Sequence, residues 1–186
     1  PRGDSFDERL LHWIAEHRVD SLTSFTRHLM HLGDVMWLVW TVAAVAVLGV
    51  VYLRAWRAGA ALGVAFFAGG FVAGLLKGVI ERNRPAFPDA LVQIGGYAMP
   101  SSHAAFTMAM AVALLVVVSW TSRRILVLAA AGLGLVLLTV GLSMIYLGAH
   151  WATDVLAGWT LGAVIGGAVG LVFKPRTRST GAGMES

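Results

Sequence analysis

The chain has 186 residues, of which 58% are hydrophobic and 13% are charged, with a formal net charge of +4. Soluble proteins carry about 25% charged residues. The low charge and a mean hydropathy of +0.75 therefore exclude an ordinary soluble domain and indicate a membrane protein. The absence of cysteine excludes disulfides, thiolate nucleophiles and cysteine-ligated metal sites. The basic residues are scattered at the ends of apolar segments, a pattern that favours membrane topology over nucleic-acid binding.

Residues 1–34 form a segment that differs from the rest of the chain. Between residues 6 and 31 apolar side chains recur at near-helical spacing, with acidic and basic residues between them. This pattern predicts an amphipathic helix, or a broken pair of helices, lying in the membrane interface. In an alternative with six spans, residues 10–31 cross the bilayer, which would bury several charges without obvious partners.

Five apolar blocks follow, and each is long enough to cross a bilayer, which requires roughly 20 helical residues. They cover residues 35–53, 58–80, 101–120, 125–147 and 151–173. We therefore predict an all-α integral membrane protein: a bundle of about five transmembrane helices over residues 35–173, followed by a disordered cytoplasmic tail at 174–186. Glycines spaced four apart indicate close helix packing, either within the chain or between copies, so the oligomeric state stays open.

The distribution of basic residues predicts the topology. They follow the first span, separate the third span from the fourth, and follow the fifth: Arg54, Arg57, Arg123, Arg124, Lys174, Arg176 and Arg178. The positive-inside rule assigns these positions to the cytoplasm. The N-terminal segment, the loop 81–99 and the turn near His150 are then expected on the extracytoplasmic face.

The most C-terminal of three polar motifs reads Ser143-Met144-x5-His150-x3-Asp154. Positions four apart share one face of a helix. The Asp154 carboxylate could therefore accept a hydrogen bond from one nitrogen of His150 and leave the other free to attack. Two alternatives are a helix-capping histidine beside an interfacial aspartate, and a metal pair, although no HExxH or carboxylate cluster accompanies it.

A second motif, Pro100-Ser101-Ser102-His103, stands at the start of an apolar block. Pro and Ser commonly begin helices, which is the simple structural explanation. The free N–H groups and the positive dipole end of a helix also bind anions. Ser101 could add a hydroxyl donor, and His103 could protonate a leaving oxygen.

The first motif consists of Lys77 and Arg84-Pro85, at the end of an apolar block. Such cations often extend to the lipid headgroups. However, Glu81-Arg82-Asn83-Arg84 adds more polar groups than anchoring requires. Arginine and lysine are both suited to phosphate oxygens, so Lys77, Arg82 and Arg84 are candidate phosphate ligands.

In this order and spacing, the three motifs resemble the signature of the type-2 phosphatidic acid phosphatase superfamily, which also holds vanadium haloperoxidases and bacterial lipid phosphatases. The resemblance covers residues 77–154. It implies that His150 forms a phosphohistidine, that Asp154 orients His150, and that His103 protonates the leaving group. It also implies that the phosphoryl oxygens are held by Lys77, Arg84, Ser101 and the backbone around Ser102, where the family commonly has Gly. The resemblance implies no cofactor and no metal ion.

Met144 departs from the family, whose third motif has an arginine at this position. A thioether carries no charge and donates no hydrogen bond, and losing one preorganised donor costs about 10²–10³ in rate. Three interpretations are open. The protein is a slow or specialised phosphatase in which Arg82 takes part of the role, a lipid-phosphate-binding protein without turnover, or a protein engineered to trap its substrate.

The predicted function is hydrolysis of a lipid phosphomonoester or diphosphate, with activity reduced by Met144. Phosphatidic acid, phosphatidylglycerol phosphate and polyprenyl diphosphates are the expected substrates, and the expected location is a bacterial cell membrane with the site on its extracytoplasmic face. The expected partners are the lipid substrate and the bilayer, with no nucleic acid. The alternative is a non-catalytic membrane protein that binds lipid phosphate or acts as a scaffold.

Overall fold

The structure, a computed structural model, describes residues 5–32 and 56–175, which form six α-helices and no β-strand. The helices are α1 (Phe6–Glu16), α2 (Asp20–Leu32), α3 (Trp56–Ile80), α4 (Ser102–Val117), α5 (Arg123–Tyr146) and α6 (Ala152–Phe173). The predicted all-α fold is confirmed. The predicted first span, 35–53, and residues 176–186 of the predicted tail lie outside the described residues.

Three of the predicted spans are helices long and apolar enough to cross a membrane: α3, α5 and α6, with 25, 24 and 22 residues. The chain is therefore an integral membrane protein. The block predicted at 101–120 contains α4, which is apolar but has only 16 residues, about 24 Å of helix. It ends early because a short turn follows, in which Ser122 accepts a hydrogen bond from the Ile125 N–H at 3.2 Å and so caps α5. The number of spans stays a prediction.

The N-terminal segment is a broken pair of helices, one of the two forms predicted for it. Ser5 and Glu8 form a capping box that starts α1, and the helix is interrupted at residues 17–19. Leu10 and Ile14 pack against the hydrophobic core near the end of α5. Residues 10–31 do not form one continuous helix, and the choice between five spans and six stays a prediction. The interfacial position of the pair stays a prediction.

Closely packed helices α4 and α6 position the functional residues. A Cβ atom at Gly162 would lie 2.2 Å from the Ala105 carbonyl oxygen, and one at Gly158 would lie 2.5 Å from the Ser101 carbonyl oxygen. Only glycine permits such an approach. These glycines therefore pack within the chain, and they hold the start of α6 against the start of α4.

Candidate active site

All three polar motifs meet at one end of the helix bundle. The chain enters this end through α3 and α5 and leaves it through α4 and α6, and the α1–α2 pair lies over it. A cavity of about 720 Å³ opens there. Its lining includes residues from each motif: Arg84, His103, Ser143, Met144 and His150. The rest of the lining comes from α2, from the loop 81–99, from the C-terminal half of α5 and from the turn that follows α5.

His150 is buried beside this cavity, with 4% of its surface exposed. The Arg84 Nη1 lies 3.1 Å from His150 Nε2. A guanidinium can only donate, so in this hydrogen bond Nε2 accepts and carries no proton. The proton of the neutral ring is then on Nδ1, which faces Asp154 Oδ2 at 3.6 Å. Among the described residues Nδ1 has no hydrogen-bond partner, and catalytic hydrogen bonds are often long before substrate binds.

Burial is the main influence on His150, and it lowers the pKa of the imidazole below its usual value. Asp154 opposes this effect, whereas Arg84 and Lys77 add to it. Because the pKa is lowered, the ring is neutral at pH 7. A neutral imidazole with its Nε2 lone pair toward the cavity has the protonation state that a nucleophile needs.

Asp154 is fully buried and is fixed by several hydrogen bonds. Its Oδ2 accepts from the Trp151 N–H at 2.9 Å, and its Oδ1 accepts from Arg82 Nη1 at 2.7 Å. The Asp154 backbone carbonyl accepts from the Ser101 N–H at 3.0 Å. The second and third motifs are therefore joined directly, and the carboxylate is held in place below the His150 ring.

Arg84 holds the turn that carries His150. Its Nη1 donates to the Ala149 carbonyl at 2.7 Å as well as to the histidine, and its Nε donates to the Gly96 carbonyl at 3.1 Å. These bonds position a planar cation, suited to bind an anion, against His150 Nε2.

The second motif begins α4 at the cavity. Ser101 is fully buried and caps the helix, with its Oγ accepting from the Ala104 N–H at 3.4 Å. Ser102 is the first helical residue, where a backbone N–H has no intrahelical acceptor. His103 lines the cavity, and its ring packs against Phe106 with 5.1 Å between the centroids. A helix N-terminus, a hydroxyl and an imidazole therefore lie together.

Met144 lies where the second and third motifs meet. Its Sδ is 3.8 Å from Ser101 Oγ, and the side chain lines the same cavity as His150. An arginine at this position would bring its guanidinium to Ser101 and the cavity. The thioether instead packs against the buried residues Ala104, Ile145, Ala152 and Val155.

Of the five predicted phosphate ligands only Arg84 lines the cavity. Ser101 and Ser102 lie just outside the lining, beside His103, and Lys77 and Arg82 are engaged by other groups of the chain. Lys77 Nζ donates to the carbonyls of Tyr97 and Ala98 at 2.8 and 3.2 Å, and so supports the chain just before the second motif. Arg82 donates to the carboxylates of Asp7 and Asp154, each at 2.7 Å. Because both ends of the guanidinium are occupied by carboxylates, we revise the role of Arg82 from phosphate binding to holding Asp154.

Asp7 and Thr153 belong to this arrangement and were not predicted. Asp7 lies on α1 and is 5% exposed. It accepts from the Thr153 N–H at 3.1 Å, from the Thr153 hydroxyl and from Arg82. Burial alone would raise the pKa of Asp7, but these hydrogen bonds hold it below its usual value. An Asp7–Arg82–Asp154 chain, in which both carboxylates are buried, therefore links the N-terminal helix to the carboxylate beside His150.

We expect Arg82→Gln to lower kcat about tenfold or more while KM changes by less than about threefold, because the variant releases Asp154 without touching the cavity. Without the cation, Asp154 stabilises the protonated imidazole more strongly, so the pKa of His150 rises. The acidic limb of the kcat/KM–pH profile should therefore move to higher pH. The pH profile and the separation of kcat from KM are the measurements.

Asp7→Asn provides a milder test of the same chain, because it keeps the side-chain shape and removes one charge from Arg82. We expect a smaller loss of kcat in the same direction. Glu8→Gln, which changes the neighbouring, partly exposed carboxylate of α1 and keeps its capacity to cap the helix, is the matched control. If Arg82→Gln changes neither kcat nor the acidic limb of the kcat/KM–pH profile, Arg82 does not position Asp154.

The comparison with protein families matches residues 58–178 to the PAP2 superfamily. A curated relative, the decaprenylphosphoryl-5-phosphoribose phosphatase of Mycobacterium tuberculosis, is 32% identical over 162 residues, which cover 82% of this chain and 81% of the relative. The protein of the same name from Mycolicibacterium smegmatis is 33% identical over 105 residues, covering 55% of this chain and 53% of the relative.

Two solved structures share the fold. A transmembrane PAP2-type phosphatidylglycerolphosphate phosphatase from Bacillus subtilis superposes with a TM-score of 0.80 at 23% identity, covering 93% of this chain and 87% of that one. Aquifex aeolicus LpxE gives a TM-score of 0.65 at 22% identity, with coverages of 91% and 94%. At these identities the likeness establishes the helical arrangement, and the relatives named above carry the information on chemistry.

Proposed function

Because the chain belongs to the PAP2 superfamily, we propose that this membrane phosphatase removes the terminal phosphate of a phosphorylated lipid through a phosphohistidine at His150. The observation that carries the proposal is that one cavity is lined by residues of all three motifs. His150 presents an unprotonated Nε2 there, beside the Arg84 guanidinium. The proposal names a nucleophile, an acid and a phosphate-binding group in one place.

In the first step, the His150 Nε2 lone pair forms a bond to phosphorus as the bond from phosphorus to the lipid oxygen breaks. His103, protonated, gives its proton to that oxygen, so the dephosphorylated lipid alcohol leaves. The Nδ1–H of the resulting cationic ring faces Asp154, whose negative charge stabilises it. In the second step His103 takes a proton from water, the water oxygen attacks phosphorus, and the P–Nε2 bond breaks to release inorganic phosphate.

The phosphoryl oxygens are held by Arg84 and by the N-terminus of α4, with Ser101 and the Ser102 N–H as donors. The Arg84 bond to Nε2 is replaced by a bond to a phosphoryl oxygen when substrate binds. Lys77 supports the site by fixing the backbone at Tyr97 and Ala98 and by its positive charge. Met144 leaves the phosphoryl group with one cation fewer than the family provides.

A lipid substrate is supported by the position of the site and by the relatives. The cavity lies at the end of the apolar helices, and its walls include Val92, Ile94, Val140 and Leu147 beside the polar residues. The relative from M. tuberculosis is named for a lipid-linked phosphosugar. A substrate that lies in the membrane would enter this cavity with its phosphate first.

We place the site on the extracytoplasmic face. The described basic residues Arg57, Arg123, Arg124 and Lys174 lie at the other end of the bundle, which the positive-inside rule assigns to the cytoplasm. The chain has no cysteine, so a single cysteine in place of Gly95 in the loop 81–99 can report the side. Labelling by a membrane-impermeant maleimide in intact cells supports this placement, and labelling only after lysis contradicts it.

The function is tested with the purified protein in non-ionic detergent. We expect phosphate release from a lipid phosphate in the presence of EDTA, with inhibition by vanadate, which mimics the five-coordinate phosphorus of the transition state. The readout is inorganic phosphate over time, with His103→Asn as a variant that lacks the acid. Activity that requires an added divalent metal would contradict the metal-independent mechanism, and an absence of release from any lipid phosphate would favour the lipid-phosphate-binding alternative.

A further inference from the structure

We propose that Arg27 and His31 form a second anion subsite in the active-site cavity, which binds the phosphodiester of a substrate whose lipid and terminal phosphate are joined through a polyol. This inference rests on the proposed phosphatase function and adds the substrate class. Neither residue belongs to the three motifs, and both come from the N-terminal segment that precedes the apolar blocks.

The geometry of α2 directs both groups to the cavity. Arg27 and His31 are four residues apart, so they share one face of the helix. Both line the cavity that Arg84, His103 and His150 also line. One cavity wall therefore carries the reacting groups, and α2 carries a further guanidinium and a further imidazole.

The charge of the cavity exceeds what a single phosphate requires. Among the described residues that line it, none is Asp or Glu. Within the described ranges 5–32 and 56–175, the Arg27 guanidinium forms no ion pair. By contrast, Arg82 is paired with two carboxylates and Arg18 donates to backbone carbonyls. An arginine that faces a cavity without a carboxylate partner is suited to bind an anion from outside the chain.

The reacting phosphomonoester carries a charge of about −1.5 to −2 near pH 7, and Arg84, His103 and the α4 N-terminus are arranged for it. A second anionic group is needed to engage Arg27 and His31. A lipid phosphodiester supplies it when a sugar or glycerol separates the diester from the terminal phosphate. Phosphatidic acid has no such diester. A lipid-linked phosphosugar, such as the one that names the M. tuberculosis relative, has both groups.

The test compares phosphatidylglycerol phosphate with phosphatidic acid of the same acyl chains, in non-ionic detergent. The two lipids share a terminal phosphate, and only the first has a phosphodiester before it. We expect Arg27→Gln to lower the ratio of their kcat/KM values about tenfold, mainly through a higher KM for phosphatidylglycerol phosphate. His31→Gln should lower the ratio in the same direction.

We expect two control variants to leave the ratio of the two kcat/KM values unchanged. His28→Gln changes a histidine of α2 that is outside the cavity lining and hydrogen-bonds the Ser24 carbonyl at 2.7 Å. Arg124→Gln removes an exposed arginine at the other end of α5. If Arg27→Gln changes the ratio of the two kcat/KM values by less than twofold, the proposal is overturned. Equal losses for both lipids also overturn it, since they indicate contact with the reacting phosphate or with surrounding anionic headgroups.

A binding measurement distinguishes a failure of the subsite proposal from a failure of the proposed phosphatase function. If neither lipid releases phosphate, the phosphatase proposal fails, and the subsite is then tested by affinity on the His150→Ala background. Tryptophan fluorescence in the same detergent reports the Kd of each intact lipid. We expect Arg27→Gln to reduce the preference for phosphatidylglycerol phosphate about tenfold in this measurement. An unchanged preference overturns the subsite whether or not the protein has turnover.

Discussion

Replacing His150 with alanine is expected to lower kcat for phosphate release by about 10⁴-fold or more. The nucleophile forms the only covalent bond between the protein and phosphorus in the proposed mechanism, and losses of this size or larger follow removal of a nucleophile elsewhere. The side chain is 4% exposed and accepts from Arg84, so the substitution also removes one acceptor of that cation, which keeps its bonds to the Ala149 and Gly96 carbonyls. The measurement is the initial rate of phosphate release at saturating lipid.

The His150 variant requires a control for folding, because a buried side chain is removed. His28→Ala on α2 changes an exposed histidine outside the cavity lining and should retain full activity. The elution volume and the thermal midpoint in detergent show whether His150→Ala keeps its fold. A folded His150→Ala protein with more than about one percent of the parent rate would remove His150 from the role of nucleophile.

Replacing Met144 with arginine is expected to raise kcat/KM about 10²-fold. The Met144 Sδ lies 3.8 Å from Ser101 Oγ and lines the cavity with His150. A guanidinium at this position would reach the phosphoryl group and stabilise the charge that its oxygens carry in the transition state. Restoring one preorganised donor is worth about 10²–10³ in rate. Phosphate release from one lipid across a range of concentrations gives the comparison.

Met144→Leu is the matched control, since leucine keeps the apolar volume and donates nothing. Its activity should stay within about threefold of the parent chain. Met144 also packs against Ala104 and Ile145, so the thermal midpoint of Met144→Arg must be measured beside its rate. A stable Met144→Arg protein with a lower rate would show that the methionine belongs to a specialised pocket, and that the family arginine is not what the site lacks.

The helical fold could be predicted because its signals are local. Runs of about 20 apolar residues require a bilayer, and α3, α5 and α6 occupy the blocks at 58–80, 125–147 and 151–173 closely. The capping pair Ser5 and Glu8 and the interruption at residues 17–19 are local features too. The short length of α4 was harder to predict from the sequence, because the helix ends at a turn and not where the hydrophobicity falls.

The site could be predicted only in part, because its contacts are of two kinds. His150 and Asp154 are four residues apart in sequence, and each motif stands at a helix end, so their approach follows from topology. Arg82, in contrast, meets Asp7 and Asp154 across 75 and 72 residues. No periodicity records such a contact. Asp7 looks like one more polar residue on the solvent face of an amphipathic helix, and only the packing of α1 shows that it is buried.

The most direct test of the account is to trap the covalent intermediate. The protein is mixed with a lipid carrying a ³²P-labelled terminal phosphate and quenched with alkaline detergent, in which phosphohistidine survives, and the label is mapped to a peptide. We predict label on His150, lost in His150→Ala and discharged as inorganic phosphate when unlabelled lipid is added. Steady turnover with no label on His150, or label on another residue, would contradict the proposed phosphohistidine mechanism.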